Sequence, residues 1–229
     1  MKEMKEHLIG QVKNDKREML VREIRNLTDT TYVISLDRNG LKFIPGQYMT
    51  LGLLQSKEMR EYSVYSGSND KNLEFLIKEI EDGDVSKQLR NIKAGDFITI
   101  DGPFGFFSIQ ERNKTVKKHL FIASGTGISP FHSYVKSYGN LNYKIIHGIK
   151  TADEAYDKND YEKGRYISCT SKDNRGDFQG RVTEYLKKNP VDKETLCYIC
   201  GNSNMIYDAF DILRNQGVLS SNVYMEVYF

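Results

Sequence analysis

Lys118-His-Leu-Phe-Ile-Ala123-Ser-Gly125-Thr-Gly127-Ile-Ser-Pro130 is the stretch whose reading decides the fold. A compact apolar run of strand length enters a glycine turn, and a segment with helical spacing follows over 130–137. Glycines at such a turn let the backbone approach a phosphate, and the N-terminus of the next helix adds its dipole. The turn is not the full Gly-x-Gly-x-x-Gly fingerprint, because Pro130 holds the third glycine position. Nor is it a Walker A loop, since no Gly-Lys-Ser/Thr follows.

Downstream of this stretch the alternation continues. Strands are predicted over 143–147, 165–170, 196–200 and 223–227, with helices over 181–188 and 204–215. Strands alternating with helices predict a parallel sheet. Upstream the pattern differs. Short runs rich in β-branched and aromatic residues occupy 31–36, 47–51, 73–78 and 96–100, separated by turn residues such as Asp37-Arg-Asn-Gly40, Pro45-Gly46 and Glu81-Asp-Gly83. Such spacing predicts an antiparallel β-barrel, with one helix over 85–91 as the exception. The polar stretch 110–115 marks the boundary, giving a two-domain chain: a β-barrel over 1–112 and an α/β domain over 113–229.

Bulk properties narrow the function. Apolar residues make up 39% and charged residues 28% of the 229 residues, as in a soluble globular protein. A net charge of +2 is too small to argue for nucleic acid. No apolar run approaches a membrane span, and the first ten residues, MKEMKEHLIG, lack a secretory apolar core. Three cysteines, an odd number, fit a reducing compartment better than a disulfide framework, so a cytoplasmic location is expected. Three are also too few for a four-cysteine iron–sulfur cluster on this chain alone.

Several constellations carry chemistry. In an extended Arg60-Glu61-Tyr62-Ser63, Arg60 and Tyr62 share one face and Ser63 takes the other. An arginine there can clamp a pyrophosphate with a charge-assisted fork. Phe43-Ile-Pro45-Gly46-Gln47-Tyr48 precedes it, Gly83-Asp84-Val85-Ser86 opens the predicted helix, and Asp101-Gly-Pro103-Phe-Gly105 follows. Gly83 and Ser86 also suit a plain turn and helix cap. Ser171-Lys172, with Gly180-Arg181 beyond it, follows a strand and suits a phosphate. Cys197-x-x-Cys200 lies in a strand pattern, which disfavours a redox dithiol. His7, His119, His132 and His147 read as surface or core residues rather than ligands.

Taken in order, FxPGQY, RxYS, GxxS, GPFG, GTGxxP and CGxxxM resemble the motifs of ferredoxin–NADP⁺ reductases, especially the bacterial type. The resemblance implies FAD as cofactor and NADP(H) as substrate, with NAD(H) as the alternative. It gives Arg60 the flavin pyrophosphate, Tyr62 a flavin stacking contact and Ser63 a hydrogen bond near N5, with Glu61 between them. It runs the cofactor along Ile77-Lys78 and seats its pyrophosphate on Gly83, Asp84, Val85 and Ser86. It places the nicotinamide nucleotide on Thr126, Gly127, Gly201, Asn202 and Met205, with Cys200 beside the nicotinamide. Ser171, Lys172 and Arg181 would read the 2′-phosphate. Two positions depart from the bacterial pattern, Lys172 and Tyr207, where arginines are frequent in that type, and both weaken the NADP assignment.

The end of the chain, Met225-Glu226-Val-Tyr228-Phe229, is similar to family tails that close over the flavin. There Tyr228 or Phe229 would stack on the isoalloxazine, and Glu226 would join Ser63 and Cys200 around N5. The implied activity is hydride transfer between nicotinamide and flavin, with ferredoxin or flavodoxin as one-electron partner. Lys57 and Lys114 to Lys118 are candidates for steering such an acidic carrier. An NAD(P)H:flavin reductase releasing free reduced flavin is the alternative enzyme, and a flavin-bound sensor the non-enzymatic one.

Overall fold

The computed structural model describes residues 16–81, 83–115 and 117–228. Phe229 and His7 lie outside them. Six strands, β1 (Arg17–Asn26), β2 (Thr31–Asp37), β3 (Tyr48–Leu53), β4 (Arg60–Ser63), β5 (Asn72–Lys78) and β6 (Phe97–Phe104), form an antiparallel sheet in the order β4-β3-β6-β1-β2-β5. A single bridge between Val64 and Phe75 brings its two edges together, so the sheet curls into a barrel. The Tyr65 N–H donates to the Glu74 carbonyl at 2.8 Å beside that bridge, and the line where the edge strands β4 and β5 meet is the barrel seam. Helix α1 (Asp84–Arg90) sends Val85 and Leu89 into the barrel core with Ile34, Phe75 and Ile98. Strand β1 escapes a sequence reading because its alternation is broken: the pairing with β2 shifts register between Val21 and Glu23.

The second half is a six-stranded parallel sheet, as the alternating pattern predicts. It contains β7 (His119–Ser124), β8 (Tyr143–Ile149), β9 (Tyr166–Thr170), the short β10 (Phe178–Gln179), β11 (Leu196–Gly201) and β12 (Val223–Val227), in the order β10-β9-β8-β7-β11-β12. Both faces are covered, which is why the strands read as continuous apolar runs. Helix α2 (Ser129–Ser137) lies on the barrel side, where Phe131 and Tyr134 pack with Phe121, Tyr198 and the barrel residues Val33, Tyr65 and Leu76. Helices α3 (Val182–Lys188) and α4 (Ser203–Asn215) cover the other face through Val182, Leu186, Ile206 and Leu213. The two domains thus share one buried cluster rather than merely touching.

Polar contacts reinforce this junction, and most come from the segment between β8 and β9. The guanidinium of Arg25 donates to both oxygens of Asp157 at 2.8 Å each. The Tyr65 hydroxyl donates to the same carboxylate at 3.0 Å, and the Tyr156 and Thr31 hydroxyls lie 3.1 Å apart. Lys78 pairs with Glu154 at 3.1 Å. The sheet order reverses between β7 and β11, since α2 and α4 leave these neighbouring strands toward opposite faces. Open parallel sheets bind ligands at the carboxyl edge of such a reversal.

Candidate functional site

Four predicted residues converge where the barrel seam meets this reversal. Register places Cys200 of β11 opposite Glu226 of β12. The Ser63 hydroxyl, at the end of β4, donates to Glu226 Oε1 at 3.2 Å. The backbone N–H of Tyr228 donates to the Gly201 carbonyl at 2.9 Å, which folds the tail back over β11. Its hydroxyl is buried beside Ser63 and Cys200 without a well-formed hydrogen bond. Burial pushes the Glu226 carboxyl up to about 7; the Ser63 hydrogen bond opposes the shift and the Glu61 charge adds to it. Burial likewise pushes the Cys200 thiol well up, so this cysteine is a neutral thiol. A serine hydroxyl, a thiol, a near-neutral carboxyl and an orphaned tyrosine hydroxyl make a cluster of donors and acceptors beside the seam. This arrangement fits the edge of a flavin ring, whose N5 needs such a partner.

The flanking residues divide. Arg60 is exposed and free to turn, its Nη1 resting on the Met59 carbonyl at 3.0 Å. Tyr62 packs against the barrel cluster, and burial pushes its hydroxyl up to about 12. Glu61 is exposed. Ile77 corrects the expectation for Ile77-Lys78: its side chain is fully buried in the barrel core, so alternation turns only Lys78 toward the domain junction. Val85 is also sunk in that core, leaving only its backbone for a phosphate. Gly83 is the extended N-cap of α1, with Asp84 in its first turn. The Ser86 hydroxyl closes the preceding turn, accepting from Ile80 N at 3.2 Å and donating to Gly83 O. Its side chain is therefore engaged in closing that turn.

A cleft of about 340 Å³ opens at the carboxyl edge of the parallel sheet. Ser124, Gly125, Ser171, Arg181, Asn202 and Met205 line it, with Lys78 reaching in from the barrel. Lys172 is exposed and does not line the cleft; Lys150, at the end of β8, does. Lys150 was missed in the sequence, although a basic residue just past a parallel strand is the signal to look for. Asn202 caps α4, its side chain accepting from Asn204 N, while its own N–H donates to the Ser124 hydroxyl at 2.9 Å. Gly201 has φ +132°, and a Cβ there would lie 2.3 Å from Ser124 Oγ. A Cβ on Gly127 would stand 2.4 Å from the Cys200 carbonyl. Gly127 thus serves close packing of the turn on β11, and partly exposed Thr126 sits beside it.

Other expectations are settled by placement. Cys197 and Cys200 belong to the clusters on opposite faces of the sheet, so they cannot act as a dithiol. Lys117 and Lys118 precede β7, at the edge opposite the cleft, and pair with Glu194 and Asp192. Lys114 pairs with Glu111 and covers the Tyr138 ring. These lysines do not ring the seam, because the parallel sheet puts strand beginnings and ends on opposite edges. His119, His132 and His147 are buried. Among the described residues, no cluster of metal-ligating side chains occurs and no helix is long and apolar enough to cross a membrane.

Residues 18–109 match the oxidoreductase FAD-binding domain family, and residues 121–211 match the oxidoreductase NAD-binding domain family. The chain is therefore an oxidoreductase with an FAD-binding and an NAD(P)-binding domain. The toluate 1,2-dioxygenase electron transfer component of Pseudomonas putida is 28% identical over 225 residues, which cover 91% of this chain and 66% of that protein. This chain thus spans slightly less than two thirds of that relative's length. The flavodoxin/ferredoxin–NADP reductase of Buchnera aphidicola is 26% identical, covering 89% of this chain and 92% of that protein. The crystal structure of a ferredoxin–NADP⁺ reductase from Neisseria gonorrhoeae with bound FAD and NADP superposes with a TM-score of 0.83. It is 25% identical and covers 93% of this chain and 99% of that one. The chain belongs to the ferredoxin–NADP⁺ reductase family.

Proposed function

We propose that this chain moves hydride between NADP(H) and its FAD and exchanges single electrons with a small ferredoxin- or flavodoxin-type carrier. The observation that carries the reading is the meeting of Ser63, Cys200, Glu226 and Tyr228 at the seam, next to the nucleotide cleft. When bound, FAD supplies the redox chemistry, taking two electrons as hydride and giving them up singly. The protein's part is positioning and proton handling. Arg60, Lys78 and the backbone at the start of α1 would hold the FAD pyrophosphate, and Tyr62 would pack on the flavin ring. Ser63 and Glu226 would lie at the flavin N5 edge and could hold or pass a proton there, while Cys200 and Gly201 would leave room for the nicotinamide. Tyr228 or Phe229 would cover the flavin ring and would have to move aside for the nicotinamide.

NADP(H) is preferred over NAD(H) because Ser171, Lys150 and Arg181 converge on one cleft and suit a 2′-phosphate. The names of the Buchnera and Pseudomonas relatives both support a protein carrier as the partner. An NAD(P)H:flavin reductase is the second reading, separated by whether FAD stays bound on purification. Anaerobic stopped-flow mixing with NADPH and NADH in turn tests the proposal. Fast bleaching of bound flavin by NADPH and slower bleaching by NADH support it. Equal or NADH-favoured bleaching removes the NADP assignment, and no bleaching removes the activity.

Arg181→Ala isolates the phosphate contact. Losing one charge-assisted hydrogen bond costs about 1.5–3 kcal/mol, so KM for NADPH should rise roughly 10- to 100-fold. KM for NADH should hardly move, and steady-state kinetics with both nucleotides checks this. Equal increases for the two nucleotides would count against a 2′-phosphate contact.

A further inference from the structure

We propose that His147 is a positioning residue that fixes the Gly125–Thr126–Gly127 turn and thereby seats the nicotinamide nucleotide; this rests on the reading of the cleft given above. His147 is fully buried on β8, and both ring nitrogens are engaged. Nε2 lies 2.7 Å from the Gly125 carbonyl oxygen and Nδ1 lies 2.8 Å from the Tyr166 hydroxyl. A carbonyl only accepts, so the proton sits on Nε2. Burial pulls the imidazole down to about 4, so the ring is neutral and carries that one proton. Nδ1 then accepts from Tyr166, which locks the tautomer that His147 needs.

Within the turn the Ser129 hydroxyl donates to the Thr126 carbonyl at 2.7 Å. Gly127 is braced against Cys200 and Gly201 of β11. Gly125 has φ +53° and nothing within 4 Å of where a Cβ would stand, and the bond from His147 holds its carbonyl. A trans peptide is planar, so pinning the Gly125 carbonyl also sets the opposite direction of the Thr126 N–H. That N–H belongs to the start of a helical turn and has no partner within it. Gly125 lines the nucleotide cleft, so the direction of this donor reaches the ligand.

The support extends back to the barrel. Tyr166 stacks on Tyr161 at 5.0 Å, and Tyr161 meets the edge of His132 at 5.8 Å. His132 stacks on Tyr65 of the barrel at 3.8 Å and bonds its carbonyl at 2.8 Å. His147, read from the sequence as a surface or core residue, is a core residue whose two ring nitrogens are directed.

Three variants of the flavin-loaded full chain test the role. His147→Gln keeps an N–H able to reach Gly125, His147→Met fills the space without a donor, and Tyr166→Phe removes the tautomer lock. The readouts are NADP⁺ and NAD⁺ affinity from flavin difference spectra, KM and kcat, and amide exchange over residues 125–128. In His147→Met, affinity should fall and KM should rise about tenfold, the equivalent of one lost buried hydrogen bond. Amide exchange should quicken, and kcat should change less. His147→Gln should recover most of the loss, and Tyr166→Phe should lie between. Unchanged affinity and exchange in His147→Met overturn the role, as does His147→Gln being equally impaired, which would indicate packing alone. If His147→Met does not fold, Tyr166→Phe decides by the same readouts, and unchanged affinity and exchange overturn the role. A wild-type chain that binds neither nucleotide overturns the cleft assignment, and this role with it.

Discussion

Replacing Glu226 with glutamine should slow flavin reduction by NADPH on the order of 10²-fold at neutral pH and abolish a break in the pH–rate profile near 7. The carboxyl is buried against Ser63, and that burial brings its pKa to about 7. A group half protonated at neutral pH can take or give a proton without a large driving-force penalty. Glutamine keeps the shape and a hydrogen bond to Ser63 but has no proton to exchange. The test is stopped-flow reduction from pH 5.5 to 8.5. A variant that keeps both the break and a rate within twofold of wild type removes Glu226 from proton handling.

The same burial has a signature in stability. Native Glu226 holds its proton to higher pH than the unfolded chain, whose glutamate titrates near 4.5. Its contribution is therefore complete below pH 4.5 and is lost as pH rises through about 7. Above pH 7, Glu226→Gln should be more stable than wild type in flavin-free form, by up to about 3 kcal/mol. Denaturant unfolding at pH 5 and pH 8.5 reads the difference.

The largest stability loss is expected from Phe121→Ala. Phe121 is fully buried at the centre of the cluster that joins the domains, stacked on Phe131 at 4.9 Å and meeting Tyr198 edge-on at 5.9 Å. Truncating a buried phenylalanine costs about 3–5 kcal/mol, part of it the cavity left behind. Because Val33, Tyr65 and Leu76 of the barrel share the cluster, barrel and sheet should loosen together. Urea unfolding followed by circular dichroism and by flavin fluorescence should show both signals moving to lower denaturant. A shift in the sheet signal alone, or a loss under 1 kcal/mol, would show that the cluster does not couple the domains.

Much of this was legible in the sequence, for physical reasons. Strands buried on both faces give unbroken apolar runs, which is why β7, β8 and β11 were read correctly along with the helices between them. In the barrel, β5 alternates over its first half, whereas β2 is buried along six consecutive residues and is legible from its β-branched and aromatic content. Strand β1 carries five charged residues and a bulge, and β10 is two residues long, so neither gives a periodic signal. At the site, the motifs located the right segments but not the facing of each side chain. Ile77 and Val85 turn inward, and Ser86 caps its own turn. Contacts such as Arg25 with Asp157 join residues 132 apart in sequence, and no local pattern encodes them.

The segment between β8 and β9 has a consequence for how such proteins can be recombined. It grows out of the nucleotide-binding half, yet Glu154, Tyr156 and Asp157 find their partners at Lys78, Thr31, Tyr65 and Arg25 of the other half. Module exchange that cuts between β6 and β7 would separate these partners while leaving each sheet whole. A chimera joining this nucleotide half to a foreign barrel would inherit unmatched part-buried carboxylates unless those four barrel positions travelled with it. The unit of inheritance here is the matched pair of surfaces, and the loop that reads the neighbour is the part a graft must respect.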